Sequence, residues 1–161
     1  MKLLILDIDE TLVYATRKKL LETEADFLVP HPFGDYYYYK RPHLDFFIEQ
    51  VKALFKLALW SSADKYYVNE VKQQLFANIS LEFAWDRTKC TYTKKGGEGI
   101  YEKQLHKLEK LNWDLANIFI IDDSPEKLSN YPENHLLIPS WIGDKNDKEL
   151  IKIIEILKIL A

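Results

Sequence analysis

The stretch Leu3-Leu4-Ile5-Leu6-Asp7-Ile8-Asp9-Glu10-Thr11-Leu12-Val13 constrains this chain more than any other. Four apolar residues run without a break into Asp7, and two further acids, Asp9 and Glu10, follow within three positions. A short apolar run that stops abruptly reads as a buried strand, here over residues 2 to 7. Such a strand does not end in a group of acids unless something at its end uses them.

The rest of the chain alternates between strand and helix patterns. Residues 11 to 40 hold three short β-rich pieces, TLVY, DFLVP and YYYYK, punctuated by Pro30, Pro32 and Gly34. RPHLDFFIEQVKAL starts at a proline and puts Leu44, Phe47, Ile48 and Val51 at helical spacing. KLALWS reads as a second buried strand and LEFAW as a third. Between them SADKYYVNEVKQQL forms a helix with Tyr67, Val68, Val71 and Leu75 on one face. DRTKCTYTKKGGEG reads as a loop, with Gly96, Gly97 and Gly99 as its flexible part. KQLHKLEKL follows as a helix that turns Leu105, Leu108 and Leu111 inward. NIFIID is a buried strand, HLLIP a last short one. NDKE opens a terminal helix with a capping box between Asn146 and Glu149. The Tyr36–Tyr39 run reads as a strand with alternating buried and exposed rings.

Strands alternating with helices predict an α/β fold: a central parallel sheet with helices on both faces, in a single domain over residues 1–161. In such sheets ligands bind beyond the carboxyl ends of the strands. Asp7 and Asp9 leave the first strand there, Ser61 leaves the second, and Asp122 and Asp123 leave NIFIID. Four carboxylates crowded into one cleft repel one another and call for a counter-charge. An all-oxygen donor set favours Mg2+ over zinc or copper. Lys103 is placed to add a positive charge.

Those residue types suit phosphoryl transfer. An aspartate can attack phosphorus and become an aspartyl-phosphate. A second carboxylate can protonate the leaving oxygen and then activate water. A hydroxyl and a lysine can hold the phosphoryl oxygens. Asp7, Asp9, Ser61, Lys103 and the Asp122-Asp123 pair supply these groups in order along the chain. Plainer roles stay open. Ser61 and Ser62 also read as N-caps, Asp122-Asp123-Ser124-Pro125 as a helix start, and Lys103 as a solvated helix lysine.

Other chemistries find no support. The net charge of -3 gives no pull toward nucleic acid. A single cysteine, Cys90, forms no intrachain disulfide and has no histidine partnership that would make it a nucleophile. His31, His43, His106 and His135 lack metal-ligand spacing. No GxxxxGK[ST] loop is present. No export signal or membrane span is evident, because Lys152, Glu155 and Lys158 interrupt the apolar C-terminal segment. The expectation is a cytoplasmic monomer, with a nuclear location the alternative in a eukaryotic cell.

DIDETLV resembles the DxDxT motif of the haloacid dehalogenase (HAD) superfamily. More narrowly, the chain resembles the NLI-interacting-factor-like, RNA polymerase II C-terminal-domain type of phosphatase. KRPHLDFF, LALWSSADKYY, DRTKCT, YEKQLHKL, IFIIDDSPEK, ENHLLIPSW and GDKNDKEL stand in that family's order over nearly the whole chain. The resemblance implies a Rossmann-like HAD fold. It makes Asp7 the nucleophile, Asp9 the general acid and base, and Thr11 a support for their loop. Ser61 and Lys103 become the phosphoryl-binding pair, and Asp122 orients Lys103 or a metal-bound water. The metal ligands it implies are Asp7, the Asp9 backbone carbonyl and Asp123. Arg87 matches a substrate-side arginine in some relatives.

Residues 14 to 40 and 77 to 102 leave about 27 and about 26 positions for insertions, below the ~40 that an independent cap domain needs. The expectation is an open cleft edged by small β flaps, with no large cap. An open cleft suits a phosphate displayed on a protein segment, so a phosphorylated protein or peptide is the expected partner. A phosphatase for a small-molecule or nucleic-acid-end phosphate, and a phosphopeptide-binding module without turnover, are the alternatives.

Overall fold

The computed structural model describes residues 1–161. Ten strands and three α-helices follow one another as β1 (Leu3–Leu6), β2 (Val13–Thr16), β3 (Phe27–Val29), β4 (Tyr36–Lys40), α1 (Leu44–Leu54), β5 (Lys56–Trp60), α2 (Lys65–Leu75), β6 (Leu81–Trp85), β7 (Thr91–Lys95), β8 (Glu98–Glu102), β9 (Ile118–Asp122), β10 (His135–Leu137) and α3 (Glu149–Leu160). Five of them form a parallel sheet in the order β10-β9-β1-β5-β6. β1 is central because all four of its residues are apolar and buried, which suits a strand covered on both faces.

Alternate residues of the strands feed two cores. Leu4, Leu6, Leu57, Leu59 and Ile121 pack with all three α-helices. Leu3, Ile5, Ala58, Trp60, Ile118 and Ile120 face the other way. That second face is covered by short 3-10 helices at Leu105–Leu111 and Pro125–Leu128, which supply Leu105, Leu108 and Leu128. The segment expected as a helix around KQLHKLEKL is therefore a 3-10 turn. Leu105 and Leu108 are buried as expected, but Leu111, the last residue of the turn, is exposed, not inward.

The chain leaves β1 toward β5 and β6 on one side and later returns to β9 and β10 on the other. This reversal opens a crevice at the carboxyl end of β1. Two small antiparallel sheets flank it: β2-β4-β3, and the β7-β8 hairpin. The hairpin lies where the sequence suggested a loop. Gly96 and Gly97 both take positive φ, 58° and 88°, and Lys95 pairs with Glu98 across them. A two-residue turn with both central residues left-handed matches strand twist, which makes the glycines a tight turn instead of a flexible tether. In β4 the rings do not alternate in burial: Tyr38 and Tyr39 are both covered. Tyr38 stacks on Phe27, and Tyr39 lies under the loop between β2 and β3, its hydroxyl accepting the Leu20 N–H at 2.8 Å.

The capping box expected at α3 is absent. Lys148 occupies the N-cap position without a side-chain cap, and Asp147 instead accepts the Glu149 N–H at 3.1 Å. Asp147 is fixed there by Arg41, a fully buried arginine just after β4. Arg41 Nε and one terminal nitrogen meet the two Asp147 oxygens at 2.8 Å each. The same guanidinium donates to the carbonyls of Thr11 at 3.1 Å and Pro139 at 2.9 Å. One side chain thus ties the loop after β1 to both ends of the connection between β10 and α3.

Burial alone would raise the Asp147 carboxyl, but the Arg41 hydrogen bonds and charge hold it below its ordinary range. A carboxyl lowered by folding stabilises the fold above the ordinary carboxylate range, and that stability is lost as pH falls through the folded value. Asp147→Asn should cost about 3 kcal/mol in urea unfolding at pH 7, because it leaves a buried guanidinium without its counter-charge. The gap between variant and parent should shrink at pH 3. A gap that stays constant between the two pH values would show that the ion pair contributes nothing.

Candidate active site

Asp7 is the first residue beyond β1. Its backbone N–H continues the ladder to Ile121 O at 3.0 Å, which aims its carboxylate into the crevice. The chain then turns tightly: the N–H groups of Thr11, Leu12 and Val13 all converge on Ile8 O, and Glu10 takes φ 58°. The turn brings the Thr11 hydroxyl back to donate to Asp7 Oδ2 at 3.0 Å. Asp7, Thr11, Ser61, Lys103 and Asp122 are all buried.

Lys103 follows β8 and has no exposed surface, so it is not the solvated lysine of the plainer reading. Its ammonium sits between Asp7 Oδ1, at 2.6 Å, and Asp122 Oδ2. Burial would lower the lysine, but Asp122 and Asp7 outweigh it and hold it above the usual lysine value. Burial, together with repulsion from Asp122, raises the Asp7 carboxyl, while Lys103 opposes both. Asp122 also accepts the Ser124 N–H at 2.8 Å, so it is fixed from two directions.

Ser61 leaves β5 with its N–H on Trp85 O. It does not cap α2: Asp64 does, accepting the Tyr67 N–H at 2.9 Å. The Ser61 hydroxyl accepts the Ala63 N–H at 2.9 Å and donates to no group of the protein. Asp123 is half-buried and accepts from Ser124 Oγ at 3.2 Å and Ser140 Oγ at 2.5 Å.

Asp9 reaches the cleft surface but is enclosed by protein on its inner side. This desolvation pushes its carboxyl up to about 6, against a lowering hydrogen bond from Tyr67 and with repulsion from Asp7. The Tyr67 hydroxyl donates to Asp9 Oδ1 at 3.1 Å. The sequence pattern assigns Tyr67 only a place on the packed face of α2. Its position three residues after the Asp64 cap is what carries the hydroxyl to Asp9. Arg87 is exposed at the rim. Its Nε donates to Ser62 O at 2.7 Å, and its guanidinium lies 4.8 Å from the centre of the Tyr101 ring.

Single carboxylate oxygens of Asp7, Asp122 and Asp123 lie within 4.8 Å of one another. The donor set is all oxygen and fits a hard divalent cation. Lys103 already holds one oxygen each of Asp7 and Asp122, whereas Asp7 Oδ2 and the Asp123 oxygens meet hydroxyl groups and no cation. No backbone N–H serves the Asp9 carbonyl, so it is open to act as a further oxygen donor.

Two cavities meet at Asp9, Ala63 and Arg87. A polar one of about 250 Å3 is lined by Ser61, Asp123 and Lys127. Beside it, a cavity of about 600 Å3 is walled by Val29, Pro30, Tyr36, Tyr38 and Tyr67, from the β2-β4-β3 flap and α2. Neither Lys127 nor the aromatic cavity was evident in the sequence.

The sequence profile of the NLI interacting factor-like phosphatases matches residues 2–161. The chain belongs to that family. It is 30% identical over 160 residues to CTD small phosphatase-like protein 2 of Dictyostelium discoideum, covering 98% of this chain and 27% of that protein. It is 30% identical to CTD nuclear envelope phosphatase 1B of Danio rerio, over 99% of this chain and 66% of the relative. The chain thus spans between about a quarter and two thirds of these relatives' lengths. The solved structure of Fcp1, an essential RNA polymerase II CTD phosphatase, superposes with a TM-score of 0.75 at 16% identity, over 98% of this chain and 61% of Fcp1. That likeness establishes the HAD-type fold read from the sequence. No helix is long and apolar enough to cross a membrane.

Lys103→Met should remove the charge that lets Asp7 and Asp122 share a buried space. The expected loss is about 3 kcal/mol or more in chemical unfolding at pH 7, with partial recovery in the double variant Lys103→Met/Asp122→Asn. Strictly additive losses would show that the lysine does not couple the two acids.

Proposed function

We propose that this chain is a Mg2+-dependent phosphomonoester hydrolase that works through an aspartyl-phosphate on Asp7. Its proposed substrates are phosphoserine or phosphothreonine residues in flexible protein segments. The observation that carries this reading is the pairing of two unlike aspartates. Asp7 is clamped by Thr11 and Lys103 at the head of the cleft. Asp9, two residues on, has its carboxyl raised to about 6, close to neutral pH, where a general acid and base works best.

The chain's own groups divide the work. A carboxylate oxygen of Asp7 attacks phosphorus as the ester oxygen departs with a proton from Asp9. Asp9, now ionised, takes a proton from water, whose oxygen attacks phosphorus and releases phosphate and Asp7. The Ser61 hydroxyl donates to a phosphoryl oxygen. Tyr67 fixes the orientation of Asp9, and Asp122 keeps Lys103 in register with Asp7. Magnesium, held by Asp7, Asp123 and the Asp9 carbonyl, would offset negative charge on the phosphoryl oxygens.

The aromatic cavity favours a polypeptide substrate. It opens directly beside Asp9 and Arg87 and offers an apolar seat larger than a phosphorylated side chain needs. A neighbouring apolar residue in an extended peptide would fill it. The small flaps leave this side open, whereas a small metabolite would need to be enclosed. Relatives named for CTD phosphatase activity support the same substrate class.

Asp7→Asn should stay folded and lose several orders of magnitude in turnover, as expected on removing a nucleophile. EDTA should abolish hydrolysis and Mg2+ restore it. Full activity after chelation would sink the metal-dependent mechanism. Asp9→Asn should cripple hydrolysis of phosphoserine, whose alkoxide leaves poorly. With p-nitrophenyl phosphate it should give a burst of nitrophenol followed by slow turnover. Equal losses of the burst rate and of phosphoserine hydrolysis would show that Asp9 acts by holding the loop, not by moving a proton.

A further inference from the structure

We propose that Lys127 is a second phosphoryl-binding lysine, whose ammonium meets the non-bridging oxygens of the phosphate that Asp7 attacks. The proposal rests on the phosphatase reading and deepens it. Lys127 lies in the short 3-10 turn Pro125–Leu128 that follows Asp123 and Ser124. Leu128 is buried in the second core and Glu126 is exposed, so the turn is pinned with the half-buried Lys127 side chain on the wall of the polar cavity. The Lys127 carbonyl accepts the Lys103 N–H at 2.9 Å, which fixes the two lysines to one another through the backbone.

Lys103 cannot perform this task alone. It has no exposed surface, and its ammonium is committed to Asp7 and Asp122. The cavity in front of it carries Asp9, Glu10 and Asp123, which repel an incoming phosphate. The cations on that wall are Arg87 and Lys127. They come from opposite sides: Arg87 follows β6 and Lys127 follows β9, while Asp7 and Ser61 project from β1 and β5 between them. Arg87 is already tied to Ser62 and stacked on Tyr101. The Lys127 ammonium pairs with no carboxylate and makes no hydrogen bond within the protein, and its charge opposes the burial and repulsion that raise Asp7 and Glu10. A free ammonium on the acid-rich wall is placed to receive a dianion.

The test compares the parent chain with Lys127→Met and Lys127→Arg by calorimetric titration of inorganic phosphate and by hydrolysis of p-nitrophenyl phosphate, which carries a single anionic group. Lys127→Met should weaken phosphate binding about tenfold and lower kcat/KM by at least as much. Lys127→Arg should recover most of both, at unchanged thermal stability. Unchanged phosphate affinity in Lys127→Met would overturn the proposal. So would a loss confined to phosphopeptides with acidic neighbours, which would assign Lys127 to a flanking group. If Lys127→Met fails to fold, Lys127→Gln takes its place with the same expected outcomes. A parent that binds phosphate through Lys127 yet hydrolyses no ester refutes the hydrolase reading alone. A parent that turns over while Lys127→Met matches it refutes only the phosphoryl-binding role of Lys127.

Discussion

The ammonium of Lys103, buried between Asp7 and Asp122, is the interaction on which the rest of the site depends. A buried lysine or carboxylate left alone would give up its charge. Here the acids hold Lys103 above its usual value, and Lys103 opposes, without cancelling, the burial that raises Asp7. The three groups arrive from β1, from the end of β8 and from β9, so the ion cluster assembles only when the sheet and the hairpin are both in place. The cluster gains little stability over an apolar packing of the same volume. Its distinctive effect is to fix the Asp7 carboxyl in one orientation at the head of the crevice.

A second buried cation performs the corresponding task for the backbone. Arg41 grips the carbonyls of Thr11 and Pro139 while Asp147 neutralises it. Two residues beyond Pro139, the Trp141 N–H donates to Glu10 O at 2.7 Å, and the intervening Ser140 hydroxyl reaches Asp123. The loop carrying Asp7, Asp9 and Thr11 is therefore stitched to the 139–141 segment from above and to Arg41 from behind. This explains how a left-handed Glu10 is tolerated at φ 58°: the bonds on both sides of it over-determine the turn.

Much of this was legible in the sequence, for a physical reason. Buried parallel strands must be apolar throughout, so LLIL, KLALW and IFII announce themselves, and the polar residue that ends each one marks the ligand edge of the sheet. Asp7, Ser61, Asp122 and Asp123 could be gathered at one edge before any coordinates. What was not legible depends on side-chain direction and turn geometry. Tyr67 reads as an ordinary apolar-face residue of α2, and only the setting of the helix by its Asp64 cap sends the hydroxyl to Asp9. The hairpin was hidden because the two positive-φ glycines that close it are also the residues of a flexible loop. The Asn146–Glu149 spacing matched a capping box, but Arg41, about a hundred positions away, had already fixed Asp147 as the donor's partner.

The division of the crevice into a polar and an aromatic chamber follows from which elements build it. The polar chamber is made from the ends of the sheet strands, whose positions are set by ladder hydrogen bonds and two packed cores. The aromatic chamber takes one wall from the β2-β4-β3 flap, a three-stranded sheet attached through the loop after β1. Asp9 stands on the boundary, joined to α2 by Tyr67 while Tyr67 leans on Tyr38 of the flap at 5.6 Å between ring centres. A segment seated in the aromatic chamber would press on the Tyr38–Tyr67 pair and so on the group that orients Asp9. Two rings and one hydrogen bond thus connect the apolar seat to the Asp9 carboxyl. In the proposed mechanism, the residue next to the phosphate would therefore bear on the rate of the chemical step as well as on binding.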